Sequence, residues 1–532
     1  MKENKHFIFS VIISIYDRED YLPECVDSVI GQSVGFEENI QLILVDNGST
    51  DGSAAICREY QQRYPDNVVC VTLTENAGPS GGRSAGVPYV RGELVNFLDS
   101  DDKWAPEAFE KVLEFYREHE GEIECLTCRV KAFGDSNNWH ALDYVYKKSH
   151  VVNIYDEYDQ IQTRIASAFV TAEAVRETPM DLEMIRNEDT MFIVKVILRK
   201  GKYGAVRGAL YYYRRHSGSL MNQVRASIYN YREAITMFHD ALLEYSREQY
   251  GKVLPFIQFE LMYDIGWKLT EVLPKIMTRQ DIAQYKDHIR RILLQIDDYI
   301  ICEQRNIFKE FKIYCLALKY GEDFYRRLKL LDGRIMFEEL TLCRTDNGAI
   351  FNYWRHEVTE EGRLRLYGEI NFPFPPGDWD AYVLDDQGRR SPLVFTGKGG
   401  EKKYALGDLA LAIRPFVAEA PLEGVRSLRV CLRYLGVEFP LYINAGKFSQ
   451  LSFDPPESFS QTGEYVFSRT RTEILPEQTS PAVLRQHRRA LRRRLLHSKD
   501  KRPIVYRAAA RMLGRISGSG DVRIFFGNSR VV

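Results

Sequence analysis

Four apolar runs in the first hundred residues, each ending in a polar residue and separated by helical or Gly-rich segments, constrain this fold more than any other feature. They are "FIFSVIISIY" (7–16), "IQLILVD" (40–46), "NVVCVTLTE" (67–75) and "ELVNFLDSDD" (93–102). Between the first two, "YLPECVDSVIGQ" puts Leu22, Cys25, Val26 and Val29 on one helical face. "AAICREYQQRY" supplies a second helix and "NAGPSGGRSAG" a Gly-rich turn into a third. Strand and helix in alternation predict a mainly parallel, doubly wound sheet. Ligands of such sheets sit beyond the carboxyl ends of the strands, at a topological switch point. The polar residues fall there: Tyr16, Asp46, Asn76, and then Asp99, Ser100, Asp101 and Asp102.

Three aspartates at one strand end suit either a solvated turn or a divalent cation site. Asp favours turns by bonding its own backbone. A hard cation prefers carboxylate oxygen and needs few protein ligands when substrate phosphates complete its shell. The agreement of four strand ends on one crevice favours the ligand reading over the turn.

"FSVIISIYDREDYLPECVDSVIGQS", "LILVDNGSTDGS", "NAGPSGGRSAG" and "GELVNFLDSDDKWAPEAF" together resemble the GT-A domain of family 2 inverting glycosyltransferases, over about 95 residues. The resemblance implies an α/β, Rossmann-like catalytic domain and a nucleotide-sugar donor. It assigns Tyr16, Asp46, Asn76, Asp99 and Ser100 to the nucleotide and Arg83 to the diphosphate region. Asp99 and Asp101 become the D-x-D pair, with Asp101 holding Mn²⁺ or Mg²⁺. Ser14 and Ser84 stand where relatives commonly have Pro and Asn.

An inverting transfer needs a general base on the acceptor hydroxyl. The family places it in an acidic pair downstream of the D-x-D, which here is Glu188 and Asp189 in "MIRNEDTMFIVKVILRKG". Asp189 is the expected base and Glu188 its partner. Both residues also suit a helix amino terminus, where acids are favoured, and the two roles are compatible. In "LYYYRRHSGSLMN" the resemblance lays Arg214, Arg215, His216, Ser217 and Ser219 over the diphosphate or acceptor, with His216 a candidate metal ligand. Arg129, on "CLTCRV", is a further acceptor-site candidate.

At 532 residues the chain needs several cores. We expect a transferase domain at 1–225, a helical connector at 226–335, a β-sandwich at 336–475 and a basic amphipathic tail at 476–532. The connector carries Thr278 and Asp281 at capping spacing before Ile282, Tyr285, Ile289, Ile292 and Leu293 at helical intervals. The β-domain rests on the period of two in "RLRLYGEINF" and "SLRVCLRYLGVEF". It resembles the β-rich appendages of wall teichoic acid glycosyltransferases, which implies homo-oligomer assembly or polymer holding, beside the plainer role of a spacer.

Formal charge is only -2, yet residues 481–516 carry twelve Lys or Arg and the single acid Asp500. With Leu484, Leu491 and Leu495 on one stripe, the tail suits an anionic membrane surface or an anionic polymer. A solvated helix is the alternative, and no base-reading motif points to nucleic acid. The nine scattered cysteines fit a reducing compartment, and Cys125 with Cys128 has no second pair to complete a zinc site. The apolar start breaks at "DRED" without a small-residue cleavage site. The expected location is therefore cytoplasmic, peripheral at the inner face of the membrane. The expected activity is hexosyl transfer from a nucleotide-sugar, most simply a UDP-sugar, to a cell-surface polymer or a lipid-linked polyol or saccharide acceptor. Nucleotidyl transfer, or non-catalytic binding of nucleotide or polymer, is the alternative.

Overall fold

The computed structural model describes residues 6–184, 186–215, 227–374, 378–396, 400–445, 459–462 and 465–478, with positions 480, 482 and 486. The chain divides into two compact units, one of residues 1–268 and 272–306, the other of 269–271 and 307–532.

The first unit is built on β1 (Phe7–Ile15), β2 (Ile40–Asn47), β3 (Val68–Leu73) and β4 (Gly92–Asp99). These pair in parallel in the order β3-β2-β1-β4. The chain leaves β1 toward β2 on one side and returns to β4 on the other, so the switch point lies at the carboxyl end of β1. There Ser14 stands opposite Asp99, and Ile15 opposite Asp46. Crossovers run through α1 (Leu22–Ile30), the short α2 (Phe36–Asn39), α3 (Ser53–Arg63) and α4 (Gly78–Gly86). In α1 the four residues expected on one face are the buried ones.

The sheet continues through β5 (Lys103–Trp104), β6 (Cys125–Gly134), β7 (His150–Asn153), β8 (Ala168–Thr171) and β9 (Lys202–Arg215), in the order β4-β8-β6-β9-β5, with β7 also on β9. Helices α5 (Ala108–Glu118), α6 (Ala172–Glu177) and α7 (Glu188–Lys200) complete this part. Phe9, Trp104, Phe109, Phe169 and Tyr211 interlock in one aromatic core, with centroids 4.9–5.8 Å apart. Edge-to-face contacts of this kind add to the burial of the rings themselves. Cys125 and Cys128 are free thiols buried in β6, where burial pushes both well above the ordinary thiol range.

The helices expected to form a separate connector are divided between the units. Those at Glu233–Tyr250, Pro255–Thr270, Arg279–Leu293 and Asp298–Glu303 lie almost wholly in the first unit, and those at Lys309–Tyr320 and Glu322–Arg326 lie in the second. The helix Glu233–Tyr250 packs on α7, where the Tyr250 hydroxyl donates to the Leu198 carbonyl at 2.7 Å. Thr278 and Asp281 make the expected capping box.

In the second unit strands begin at Leu328, earlier than expected, and run to Gln478. Among the described residues, eleven of them form one hydrogen-bonded sheet, ten along a single path in which Arg390–Phe395 pairs with both Trp379–Asp385 and Arg414–Pro421. Arg363–Asn371 alternates strictly between buried and half-buried positions, as its period of two predicts. Nearly all of the tail lies outside the described residues. Among those residues, no helix is long and apolar enough to cross a membrane.

Candidate active site

The strand ends are locked by side chains that bond neighbouring loops. Asp46, nearly fully buried, accepts the Ser49 amide at 3.0 Å. Asn47 accepts from the Ala77 amide at 2.9 Å, donates to the Gly78 carbonyl at 3.0 Å and lies 3.2 Å from Asn76 Oδ1. The turn after β3 is thereby tied to the end of β2. Tyr16 remains 41% exposed beside them, open to a ligand.

Helix α4 lies directly on β1. A Cβ at Gly82 would run into Ser14 Oγ, and one at Gly86 would stand 2.7 Å from Ile12 Cγ2. This close seat delivers Arg83 into the crevice, where it pairs with Asp99 at 3.0 Å and with Glu188 at 3.2 Å. One buried guanidinium thus joins the end of β4 to the start of α7. The expected D-x-D and the expected acidic pair, 89 residues apart from Asp99 to Glu188, meet across it.

Asp101 and Asp102 part company. Asp102 is 1% exposed and accepts from the Tyr211 hydroxyl at 2.5 Å and the Arg214 amide at 2.6 Å. It is a structural tie between the turn and β9, and burial with Asp99 and Asp101 nearby raises its pKa well above the ordinary range. The Asp101 carboxylate stands 3.8 Å from Arg18 Nε. Among the described residues, no three His, Cys, Asp or Glu side chains are set to close around a metal ion. A lone strand-end carboxylate is nevertheless the donor that Mg²⁺ or Mn²⁺ uses when diphosphate oxygens and water supply the rest. The residues therefore fit a cation carried in with a diphosphate better than a resident one.

Glu188 and Asp189 occupy the first turn of α7, preceded by Asn187 in the left-handed conformation at φ 60°. Asp189 Oδ1 accepts the Thr190 amide at 2.8 Å. Burial and the neighbouring Asp189 push Glu188 up to about 7, against the pull of Arg83. Burial likewise raises Asp189, although Arg83 opposes it. Two crowded carboxyls on one helix end titrate as a pair, and such a pair is suited to taking a proton near neutral pH.

Arg214 Nε donates to the Asp101 carbonyl at 2.7 Å, and its guanidinium also pairs with Glu24. It braces the turn and is not left open to solvent. Arg129 forms a bidentate pair with Asp143 at 2.9 and 3.0 Å and lies over Trp139 at 3.9 Å. Arg215 lies over Tyr213 at 5.1 Å. His216, Ser217 and Ser219 fall outside the described residues.

Sequence reasoning missed Arg18, Asn47 and Arg164. Arg164 stacks on Tyr213 at 4.1 Å. Its charge is favoured by Tyr213, Tyr211, Asp102 and Asp99 against the effect of burial. It lines a small cavity with His140, Asp143, Tyr146 and Gln162. His140 is held neutral there, down to about 3, by burial and by Arg164 and Arg215. Arg18, in the turn straight after β1, could have been found by its place alone. Arg164 sits in a loop with no motif.

The glycosyl transferase family 2 profile matches residues 10–177. Minor teichoic acid biosynthesis protein GgaB of Bacillus subtilis is 32% identical over 325 residues, which are 60% of this chain and 36% of GgaB. GgaA of the same organism, also named for minor teichoic acid biosynthesis, is 32% identical over 321 residues, covering 58% of this chain and 72% of GgaA. The chain thus spans little more than a third of the first relative and most of the second. A crystal structure of S. aureus TarS superposes with a TM-score of 0.49 at 15% identity, covering 90% of this chain and 86% of that one.

Proposed function

Since the chain belongs to glycosyl transferase family 2, we propose that it transfers a sugar, with inversion, from a UDP-sugar to a hydroxyl of a cell-surface polymer or its lipid-linked precursor. Teichoic acid and capsular polysaccharide are the acceptor classes in view, and the two Bacillus relatives named for minor teichoic acid biosynthesis favour the first. One observation carries the proposal. Arg83 joins Asp99, at a strand end where a nucleotide diphosphate would lie, to the Glu188–Asp189 pair.

In this mechanism Tyr16, Asp46 and Asn76 seat the nucleotide. Asp189 takes the acceptor hydroxyl proton while that oxygen attacks the anomeric carbon from the face opposite the diphosphate. The bond from that carbon to the diphosphate oxygen breaks, and UDP departs with the electron pair. Arg83 counters the charge that grows on it, in a site poor in water where such charge is costly. Asp101 would hold Mn²⁺ or Mg²⁺, which supplies Lewis-acid stabilisation of the leaving diphosphate. Glu188 tunes Asp189 by like charge. Arg164 and Arg215, both over the Tyr213 ring, favour a phosphate-bearing acceptor beside the base.

Melting the full chain with UDP, GDP or CDP, each with Mn²⁺, tests the donor side. UDP should stabilise most, and the absence of stabilisation by any of the three would refute a nucleotide-sugar site. The basic tail would rest on an anionic membrane face. Truncation after Gln478 should cut co-sedimentation with anionic vesicles, most strongly at low salt, and leave turnover on a soluble acceptor unchanged.

A further inference from the structure

Behind the acid pair runs a hydrogen-bond chain that the transfer reaction does not use. It starts at Arg291, itself paired with Asp240 at 2.7 Å, whose guanidinium donates to His288 Nδ1 at 3.0 Å. A guanidinium has no acceptor. His288 must therefore accept through Nδ1, which leaves its proton on Nε2. That nitrogen lies 3.0 Å from His239 Nδ1, with ring planes 9° apart and centroids separated by 5.2 Å. The separation is that of two rings joined end to end, so this contact is a hydrogen bond in a shared plane more than a stack. His239, wholly buried, then donates from Nε2 to Asp264 Oδ2 at 3.0 Å. Each link donates inward, and the order makes both imidazoles neutral. Burial, with His239 and Arg291 alongside, holds His288 down to about 3, in keeping with that assignment.

The chain ends next to the catalytic turn. The other oxygen of Asp264 accepts from the Asn187 side-chain amide at 3.4 Å. Asn187 begins α7 and directly precedes Glu188. An Asn in that place ordinarily turns its side chain onto its own helix, but this one makes no such cap. Asn takes the left-handed conformation more readily than other residues with a side chain, but it still does so at a cost that its surroundings must offset. His239, Asp264 and His288 come from three different helices of the first unit, so their packing supplies the holding.

We propose that Asp264 is a positioning residue. Fixed by His239 and His288, it holds Asn187 left-handed and so sets where α7 presents Glu188 and Asp189. The inference rests on the reading of that pair as the acceptor-activating site. It gives the helical segment a part in the reaction beyond support.

Two variants of the full chain test it. Asp264→Asn keeps the size and an acceptor for His239 but removes the anion, whereas Asn187→Gly keeps the left-handed backbone accessible and removes the amide. Each should speed amide hydrogen exchange at residues 187–191 by roughly tenfold, and the double variant should be no faster than either single one. UDP affinity in Mn²⁺ should stay within about twofold, while UDP release from the donor slows in step with the faster exchange, a split between binding and turnover. Unchanged exchange at 187–191 in Asp264→Asn overturns the proposal. So does an equal rise across the helices 233–250 and 255–270, or single effects that simply multiply in the double variant. Should Asp264→Asn not fold, His288→Gln cuts the chain at its outer end and is read in the same way. Exchange does not depend on turnover, so a wrong base assignment shows up separately, as an active Asp189→Asn variant with the exchange result intact.

Discussion

Glu188 in the first unit and Glu357 in the second are the same side chain at nearly the same distance from an arginine, 3.2 Å from Arg83 and 3.1 Å from Arg365. Their protonation goes opposite ways. The Tyr367 hydroxyl, with Arg365 and Arg355, draws Glu357 below its ordinary range. Burial and Asp189 drive Glu188 up to about 7. An arginine contact therefore does not decide the state of a carboxyl; loss of water does. The difference follows from the sheets. Antiparallel strands of the second unit have outward positions where Glu357, Arg365 and Glu419 pair across the ladder in the wet, with Arg355 joining Glu357 along its own strand. The parallel strands of the first unit bury no charge between their ends, so charge collects where they stop, at Asp46, Asp99, Asp101 and Asp102.

Four changes would break or sharpen that contrast. Asp189→Asn should lower turnover by roughly 10²-fold or more, the usual scale for a lost general base, with UDP affinity kept. A calorimetric titration that shows lost donor binding would move Asp189 into the nucleotide site. Asp101→Ala should weaken UDP binding in Mn²⁺ by about tenfold, through loss of the cation contact, and leave binding without metal largely unchanged. Full activity in Mn²⁺ would dismiss Asp101 as its ligand.

The third change concerns Glu188, whose folded pKa of about 7 lies above the ordinary carboxyl value. The folded state then binds more protons than the unfolded one between roughly pH 4.5 and 7. Stability from this group is full below pH 4.5 and is lost as pH rises through 7. Glu188→Gln, a mimic of the neutral form, should therefore stabilise the protein at pH 8 by on the order of 1–3 kcal/mol and do little at pH 4. In the native enzyme, turnover should fall about tenfold per pH unit below the apparent pKa of the pair. Equal melting of Glu188→Gln and wild type at pH 8 would show that the pair is better hydrated than its surroundings imply. The smallest effect belongs to the second unit, where Arg365→Ala should shift the melting temperature by no more than about 2 °C and leave turnover alone.

Much of the first unit could be read from sequence because its signals are local. The stripe Leu22, Cys25, Val26 and Val29 fixes α1, and the apolar runs fix the strands whose ends carry Asp46, Asp99 and Asp101. The acidic pair could be proposed because the family resemblance implies one downstream of the D-x-D, and this pair stands at the head of a periodic helix. What brings it to Arg83 is tertiary, and no pattern along the chain states that distance. Asp102 shows the limit: beside Asp101 it looks like another candidate ligand, yet its partners Tyr211 and Arg214 come from a strand more than a hundred residues later. Arg164 and Asp264 were invisible for the same reason, the first lying in a loop without a motif and the second in a helix whose periodicity speaks only of packing. The division at 306/307 was hidden too, because helices on either side of it have the same apolar period.

The bare Cα atoms of Gly82 and Gly86 carry a consequence for how this site could drift. With no methyl between α4 and β1, the helix has no shim, and the position of the Arg83 guanidinium inherits the stiffness of the sheet beneath it. A change as mild as Gly82→Ala would alter no charge and remove no catalytic group. It would still lift the arginine off its gauge and open the gap it spans between Asp99 and Glu188. The alignment of the two halves of the crevice is thus kept by atoms that are missing, and a survey of charged residues alone would overlook the part of the sequence that holds the tolerance.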